Sequence, residues 1–113
     1  MKHSLSIIFP IYNEQNRIEK SFIEIQKFIK HNSLFDLEII FVNDGSNDNT
    51  DYLITNFIKD KKDNLYKYIN SKKNMGKGHA LKLGVEIAKN DWVLTTDIDL
   101  SVPLIQIEEW FNK

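Results

Sequence analysis

The residues with the clearest chemical potential are two aspartates, Asp97 and Asp99, which follow an apolar run and are separated by Ile98. If the backbone is extended there, side chains two residues apart project to the same side, and the two carboxylates repel each other. A divalent cation would remove that repulsion and would also neutralise a diphosphate. Ligands that offer only oxygen favour Mg²⁺ or Mn²⁺ over zinc. The pair therefore predicts a metal and diphosphate site, although an isolated Asp-X-Asp is also typical of a polar turn that closes a strand.

Two further polar segments follow apolar runs, and each also has a plain structural interpretation. In residues 43–46, Asn-Asp-Gly-Ser is strong turn chemistry, but Asp44 could also accept hydrogen bonds from a base or a ribose. In residues 10–14, Pro10 interrupts a strand ladder, while Tyr12 and Glu14 offer an aromatic face and a carboxylate. Residues 10–14 therefore predict the rim of a nucleobase pocket or, alternatively, a strand end followed by a helix-capping segment.

A glycine-containing segment, residues 74–78 (Asn-Met-Gly-Lys-Gly), precedes a helical pattern. Free N–H groups at a helix N-terminus, together with Lys77, would supply positive potential near phosphates. The segment lacks the spacing of a P-loop, and the chain contains no G-x-G-x-x-G. Walker-type and Rossmann dinucleotide sites are therefore disfavoured, which leaves either a loop that faces phosphate or an ordinary helix-entry turn.

These segments are positioned by an alternation of strand-like and helix-like patterns. Four apolar, β-branched runs, 5–11, 37–43, 65–70 and 92–96, alternate with stretches whose apolar residues recur at helical spacing, as in βαβ units with a parallel sheet. The first, second and fourth runs are almost continuously apolar, so we expect them to be central. Gly84, inside the third helical stretch, predicts that this helix lies close to the sheet. We predict an α/β fold in three α/β/α layers with a mostly parallel sheet of strand order 3-2-1-4, which gathers the polar segments at one edge.

Composition and charge exclude several classes of protein. The 113 residues carry 15 Lys and Arg against 16 Asp and Glu, so no broad positive field favours nucleic acid. The absence of cysteine removes disulfides, thiolate zinc sites and cysteine nucleophiles, and it fits a cytoplasmic location. No stretch has the roughly eighteen apolar residues of a membrane span. An exposed apolar face for self-association is predicted at the C-terminal helical stretch, from Leu104, Ile107, Trp110 and Phe111.

Together, the order and spacing of these segments resemble the family 2 inverting glycosyltransferases of GT-A fold. The resemblance covers nearly the whole chain and rests on residues 6–14, 42–50, 74–80 and 97–99 in register. The extension 96–103, Thr-Asp-Ile-Asp-Leu-Ser-Val-Pro, is most similar to the subgroup of dolichyl- or polyprenyl-phosphate glucosyltransferases.

The resemblance implies a role for each polar segment. It implies that residues 10–14 and 43–46 contact the nucleotide, usually uridine, and that the glycine-containing segment, residues 74–78, lies near it. It further implies that Asp97 faces the ribose and the diphosphate, while Asp99 ligates Mg²⁺ or Mn²⁺. The implied nucleotide-binding residues are Pro10, Tyr12, Glu14, Asp44, Lys77 and Asp97, and the implied metal ligands are Asp99 and Asp97.

The resemblance also implies an activity, which is inverting transfer of a hexose, glucose in this subgroup, from a UDP-sugar to an acceptor such as a polyprenyl phosphate or a glycan. Residues 1–113 would then be the nucleotide-sugar-binding portion of a GT-A domain, truncated before the acceptor-binding part. The general base is expected beyond Lys113, so we expect this fragment to bind nucleotide and metal but to be inactive alone. The full-length protein would act at the cytoplasmic face of a membrane.

Two other interpretations stay open. One is a phosphorylation-switched signalling domain of receiver type, which needs an acidic pair after the first strand and an aspartate after the third. Here the third strand ends in Asn70-Ser71-Lys72. The other is a nucleotide-binding fragment that has no catalytic activity.

Overall fold

The structure, a computed structural model, describes residues 2–61 and 64–111. The remaining residues, Met1, Lys62, Asp63, Asn112 and Lys113, lie outside the described part of the chain, and with them the two ends of the predicted domain 1–113. Strands and helices alternate along the described chain in the order β1 (His3–Ile11), α1 (Ile18–His31), β2 (Phe35–Asp44), α2 (Thr50–Ile58), β3 (Tyr66–Ser71), α3 (Lys77–Ile87), β4 (Trp92–Thr95) and α4 (Ile105–Phe111).

The four strands pair in parallel in one sheet of order β3-β2-β1-β4. This confirms the predicted α/β class and strand order. In the register of the sheet, Ile11 at the end of β1 lies beside Asn43 near the end of β2, and Ile8 lies beside Thr95 at the end of β4. The loops that follow these strands therefore leave from the same edge of the sheet.

Side chains of β1 alternate between two helical layers, so both faces of the sheet are covered. Ile7 and Phe9 belong to a core that also contains residues of α1, α2 and α4, whereas Ile8 packs with Ala80 of α3 on the other face. A Cβ at Gly84 would meet the side chain of Ile8, so α3 lies as close to the sheet as the sequence predicts. The three-layer α/β/α arrangement is confirmed.

The expectation that the fourth strand is central is wrong. β4 pairs with β1 and forms one edge of the sheet in the described residues. Trp92 and Val93 are consequently exposed, although they continue an apolar run. Apolar composition predicted burial here, but burial of an edge strand depends on whether another segment covers it.

The C-terminal helix α4 is packed more closely than predicted. Leu104 and Ile107 are buried in the core, and Phe111 packs against aromatic rings of β1, β2 and β4. The predicted exposure is therefore wrong for the first two residues. Ile105 and Trp110 are exposed, and self-association stays a prediction that rests on this smaller surface. Neither α4 nor any other helix in the described residues is long and apolar enough to cross a bilayer.

A buried ion pair lies at the end of α3 that is farther from the polar loops. Glu38 is fully buried, and its Oε2 lies 2.6 Å from Nζ of Lys67, which also donates to the carbonyl of Ile87 at 3.1 Å. Oε1 of Glu38 accepts the hydroxyl of Ser6 at 2.7 Å and the amide of Lys89 at 3.0 Å. Burial raises the pKa of Glu38, but these hydrogen bonds and the charge of Lys67 outweigh it and hold the pKa below its ordinary value. This cluster anchors the carboxyl end of α3 to the sheet.

Candidate functional site

The loops after β1 and β2 are joined by reciprocal hydrogen bonds at the carboxyl edge of the sheet. The amide of Asn13 donates to Oγ of Ser46 at 2.8 Å, and Oδ1 of Asn13 accepts the amide of Asn47 at 2.9 Å. Asn13 has a φ of +50°, a conformation that asparagine tolerates better than most residues. The two loops thus form one surface, on which the side chain of Tyr12 is 46% exposed.

Asp48 extends this network to the start of α2. Its Oδ2 accepts the amide of Gln15 at 3.4 Å, and its Oδ1 accepts the amide and the hydroxyl of Thr50 at 2.9 and 2.5 Å. Burial raises the pKa of the Asp48 carboxyl, but these hydrogen bonds outweigh it and hold the pKa below its ordinary value. The sequence did not single out Asp48. The available signal was an aspartate two residues before the first apolar turn.

Glu14 lies at the predicted rim, but its carboxylate faces helix α1. Its two oxygens accept hydrogen bonds from Nε and a terminal nitrogen of Arg17 at 2.9 and 3.0 Å. Its amide donates to Oγ1 of Thr50 at 2.9 Å. The sequence did not single out Arg17, although its spacing from Glu14 suits a helical ion pair. Arg17 and Thr50 therefore hold the rim from two sides.

Asp44, at the end of β2, holds the segment that precedes α3. Its side chain is buried, and its two carboxylate oxygens accept the amides of Met75 and Gly76, both at 2.9 Å. The side chain of Asn74 donates to the carbonyl of Asp44 at 3.2 Å. The structure thus brings together two candidates that the sequence identified separately, Asp44 and the glycine-containing segment, residues 74–78.

Lys77 begins α3 and reaches the loop after β4. Its Nζ lies 2.7 Å from Oδ1 of Asp97, and the two side chains are 63% and 54% exposed. An exposed pair of this kind contributes at most about 1 kcal/mol, so both groups can exchange partners with a charged ligand. Together with Pro10 and Val102 they line a cavity of about 200 Å³. Three of the predicted site residues therefore meet in one place.

The prediction that Asp97 and Asp99 lie on extended backbone is wrong. β4 ends at Thr95, and residues 97–100 form a turn in which the amide of Leu100 donates to the carbonyl of Asp97 at 3.0 Å. Ile98 is buried in the core between the two aspartates, and its carbonyl accepts the hydroxyl of a buried serine on α1. Packing of Ile98 thus turns the backbone where a continuous strand was expected.

Asp99 lines a different cavity from Asp97, a groove of about 690 Å³ between α1 and residues 99–108. Its Oδ1 accepts the amide of Ser101 at 3.2 Å. In residues 2–61 and 64–111, no group of three or more His, Asp or Glu side chains is arranged to hold a metal ion. Two carboxylates nevertheless suit a hard cation such as Mg²⁺, which commonly binds one or two carboxylates together with substrate phosphates. The oxygen donors are of the kind that these cations prefer, but the two carboxylates line different cavities, and the metal-ligand assignment stays a prediction.

The sequence is similar to that of known proteins. The profile of the family described as "Glycosyl transferase family 2" matches residues 6–113. The dolichyl-phosphate beta-glucosyltransferase of Dictyostelium discoideum is 36% identical over 99 residues, which cover 84% of this chain and 30% of that relative. The chain spans about a third of the length of the curated relatives it matches.

Solved structures share the fold. The mannosyltransferase PcManGT from Pyrobaculum calidifontis, in complex with GDP-Man and Mn²⁺, has a TM-score of 0.75 at 24% identity, over 88% of this chain and 28% of that one. The protein TarS (1–349) of S. aureus, in complex with UDP, has a TM-score of 0.69 at 26% identity, with the same coverage. The predicted GT-A fold is confirmed, and the matches favour the glycosyltransferase interpretation over the receiver domain.

Proposed function

The chain belongs to glycosyl transferase family 2, and we propose that it is the nucleotide-sugar-binding portion of an enzyme that transfers a hexose with inversion. The proposed acceptor is a polyprenyl phosphate and the proposed hexose is glucose, because a similar protein is named a dolichyl-phosphate beta-glucosyltransferase. The proposed donor is a UDP-sugar, in line with the UDP complex of TarS.

The observation that carries this proposal is the meeting of Lys77 and Asp97 over the small cavity at the carboxyl edge of the sheet. Ligands of parallel α/β sheets bind at this edge, where loops from different strands converge. The ammonium group of Lys77 and the N–H groups at the start of α3 offer positive potential to a diphosphate. Because the Lys77–Asp97 pair is exposed, a diphosphate can take the place of one partner at little cost.

We propose that the nucleoside lies over the joined loops after β1 and β2. The exposed ring of Tyr12 offers a face on which a base can stack, and Pro10 forms part of the cavity wall. Glu14 accepts hydrogen bonds from Arg17, and its oxygens have further acceptor capacity for a base or a ribose. Asp44 completes the nucleotide site from the end of β2.

We propose Mg²⁺ or Mn²⁺ as the cofactor, held by Asp99 and Asp97 together with the diphosphate. The oxygen-only donor set supports this choice, and PcManGT was solved with Mn²⁺. Such an ion, when bound, neutralises the charge that develops on the departing nucleoside diphosphate. Lys77, whose Nζ lies beside Asp97, would act in the same direction.

In the proposed reaction, the bond between the anomeric carbon and the diphosphate oxygen breaks, and its electron pair leaves with UDP. A bond from the anomeric carbon to a phosphate oxygen of the acceptor forms on the opposite face of the sugar. A phosphate oxygen is already largely ionised near neutral pH, so it needs no strong general base. A hydroxyl acceptor, as in a glycan, would need a carboxylate base. Because residues 1–113 correspond to about a third of the length of the matched relatives, we propose that they bind nucleotide but do not transfer sugar on their own.

We propose that the full-length protein works at the cytoplasmic face of a membrane. A polyprenyl chain resides in the apolar part of a bilayer, whereas a nucleotide sugar dissolves in water, so the reaction takes place at the boundary between them.

Calorimetric titration with UDP, in the presence and absence of Mn²⁺, tests the proposed function. We expect tighter binding with Mn²⁺ and the loss of that gain in Asp99→Ala, because the metal ligand is removed. Asp91→Ala is the matched control, since Asp91 is an exposed aspartate that lies before β4 rather than after it. Absent binding, or binding that is indifferent both to Mn²⁺ and to Asp99→Ala, would refute the proposal.

A further inference from the structure

We infer that Tyr68 and Asp51 are positioning residues, which orient the proposed nucleobase platform through a chain of side-chain hydrogen bonds. The nucleobase platform consists of the two joined loops after β1 and β2, residues 12–17 and 45–49. The inference rests on the proposed function, because it assigns to two residues outside the platform an indirect role in nucleotide binding. The sequence indicated neither of them as a candidate.

The chain starts on α2 and crosses β3 and β2 before it reaches the loop after β1. The hydroxyl of Tyr68 donates to Oδ1 of Asp51 at 2.6 Å, and its oxygen accepts Nδ2 of Asn43 at 3.1 Å. Oδ1 of Asn43 accepts the hydroxyl of Ser46 at 2.5 Å, and Oγ of Ser46 accepts the amide of Asn13 at 2.8 Å. Consecutive hydrogen bonds thus connect the first turn of α2 with the platform.

The direction of each bond in the chain is set by its two ends. An ionised carboxylate can only accept hydrogen bonds, and a backbone amide can only donate them. The backbone amide of Ser46 also donates to Oδ1 of Asn43 at 3.3 Å, so the NH₂ group of Asn43 faces Tyr68. The oxygen of Tyr68 then accepts this NH₂ group, and its single hydrogen goes to Asp51. One arrangement of donors and acceptors therefore satisfies every member of the chain.

Burial makes the chain sensitive to the loss of a member. Asn43 is fully buried, so water cannot easily replace a missing partner of its side-chain amide. The ring of Tyr68 packs against the core on the same side of the sheet as α2. Burial and the hydrogen bond to Asp51 raise the pKa of the Tyr68 hydroxyl, and they outweigh the opposing effect of Asn43. The phenol therefore keeps its proton and remains a donor at neutral pH.

The chain ends beside the ring on which we propose that the base stacks. Asn13 directly follows Tyr12, and its φ of +50° lies in a narrow allowed region. Oδ1 of Asn13 accepts the amide of Asn47 at 2.9 Å, so Asn13 is attached to the loop after β2 through both its amide and its side chain. A displacement of Ser46 would therefore move Asn13 and, with it, the backbone that carries Tyr12.

Hydrogen exchange without nucleotide is the first arm of the test. Tyr68→Phe keeps the ring but leaves the NH₂ group of Asn43 without its acceptor. We expect the exchange rate of the Asn13 amide to rise about threefold to tenfold, the range that corresponds to one weakened hydrogen bond. Tyr52→Phe is the matched control, because Tyr52 is an exposed tyrosine on α2, and it should leave this amide unchanged. Unaltered exchange of Asn13 in a folded Tyr68→Phe protein would overturn the inference.

Two substitutions of Asp51 separate the hydrogen-bond chain from the charge of the residue. Both Asp51→Ala and Asp51→Asn remove a negative charge from the first turn of α2. Asparagine retains an oxygen that can accept the Tyr68 hydroxyl, whereas alanine does not. We expect Asp51→Ala to accelerate exchange of the Asn13 amide as much as Tyr68→Phe does, and Asp51→Asn to restore most of the protection. Equal exchange rates in the two variants would show that Asp51 does not act through this chain and would overturn its assignment.

A double-mutant cycle on UDP affinity is the second arm, and it separates positioning from a general loss of stability. If Tyr68 acts through the platform, Tyr68→Phe weakens UDP binding about threefold to tenfold in the wild-type background but has little further effect beside Tyr12→Ala. An equal loss in both backgrounds, or no loss in the wild-type background, would overturn the inference. If the wild-type chain binds no UDP, the proposed function fails, and the exchange arm still decides whether the chain orients the platform.

Discussion

A lysine–carboxylate ion pair lies near each end of α3, and the two pairs have nearly the same length, but one carboxylate is buried and the other is exposed. At the carboxyl end, Lys67 and Glu38 are 2.6 Å apart, and Glu38 is fully buried. At the amino end, Lys77 and Asp97 are 2.7 Å apart, and both side chains are more than half exposed. Distance alone would make the two pairs equivalent. Burial of Glu38 makes the first pair a structural anchor, whereas exposure leaves the second pair available to a charged ligand.

The largest effect that would test this comparison is the loss of the buried carboxylate. Glu38→Ala removes the partner of Lys67, of the Ser6 hydroxyl and of the Lys89 amide. We expect the free energy of unfolding to fall by about 3 kcal/mol, the low end of the range for a broken buried pair, because Lys67 retains some access to solvent. Urea denaturation followed by circular dichroism measures it. A loss below about 1 kcal/mol would mean that the two pairs are energetically alike.

The next largest effect concerns the two glycines of α3. Gly84→Ala places a methyl group against Ile8, and we expect a loss of about 1–3 kcal/mol from overpacking, despite the better helix propensity of alanine. Gly78→Ala meets no neighbouring atom within 4 Å, and we expect it to be neutral or to stabilise by up to about 1 kcal/mol. The same denaturation measurement compares the pair. Equal changes for both variants would show that α3 does not lie as close to the sheet as described.

A smaller effect is expected on acidification. The folded-state pKa of Glu38 lies below its ordinary value of 4.5, so ionised Glu38 contributes stability above that pH and loses it as the pH falls through the folded pKa. Glu38→Gln should therefore flatten the decline in unfolding free energy below pH 4.5. Asp48→Asn should flatten this decline only at lower pH, below 3.8, which is the ordinary pKa of that carboxyl. An unchanged acid profile in Glu38→Gln would contradict the buried pair.

The smallest effect is expected at the exposed pair. Lys77→Met should change the free energy of unfolding by no more than about 0.5 kcal/mol, because solvent screens an exposed ion pair. Lys82→Met, an exposed lysine farther along α3, serves as the control. A loss comparable to that of Glu38→Ala would make the Lys77–Asp97 pair a structural anchor and would remove the argument that it is free to bind a ligand.

The sheet could be predicted because its determinants are local. Continuous apolar runs and helical spacing identify strands and helices, and the alternation of the two fixes a parallel sheet. The edge position of β4 could not be predicted from its composition, since Trp92 and Val93 have the apolar character of a covered strand. Whether a strand is covered depends on its neighbours and not on its own residues.

The members of the site could be predicted better than their geometry. The sequence indicated Asp44 and Lys77 as candidates, but the partners of Asp44 lie about thirty residues farther along the chain and depend on the tertiary fold. The turn at 97–100 depends on Ile98 being drawn into the core, which no local pattern specifies. Extended geometry was a reasonable expectation from spacing alone, and tertiary packing overrides it.

The most direct test of the claim that the exposed end of α3 binds a nucleoside diphosphate is amide chemical-shift mapping with UDP and Mg²⁺. We expect the shifts to cluster in residues 10–14, 44–47, 74–78 and 96–99, while the amides of Ser6, Glu38 and Lys67 at the buried end stay unchanged. Shifts confined to the groove between α1 and residues 99–108, or to the Glu38 end, would contradict the claim, as would the absence of shifts at millimolar UDP.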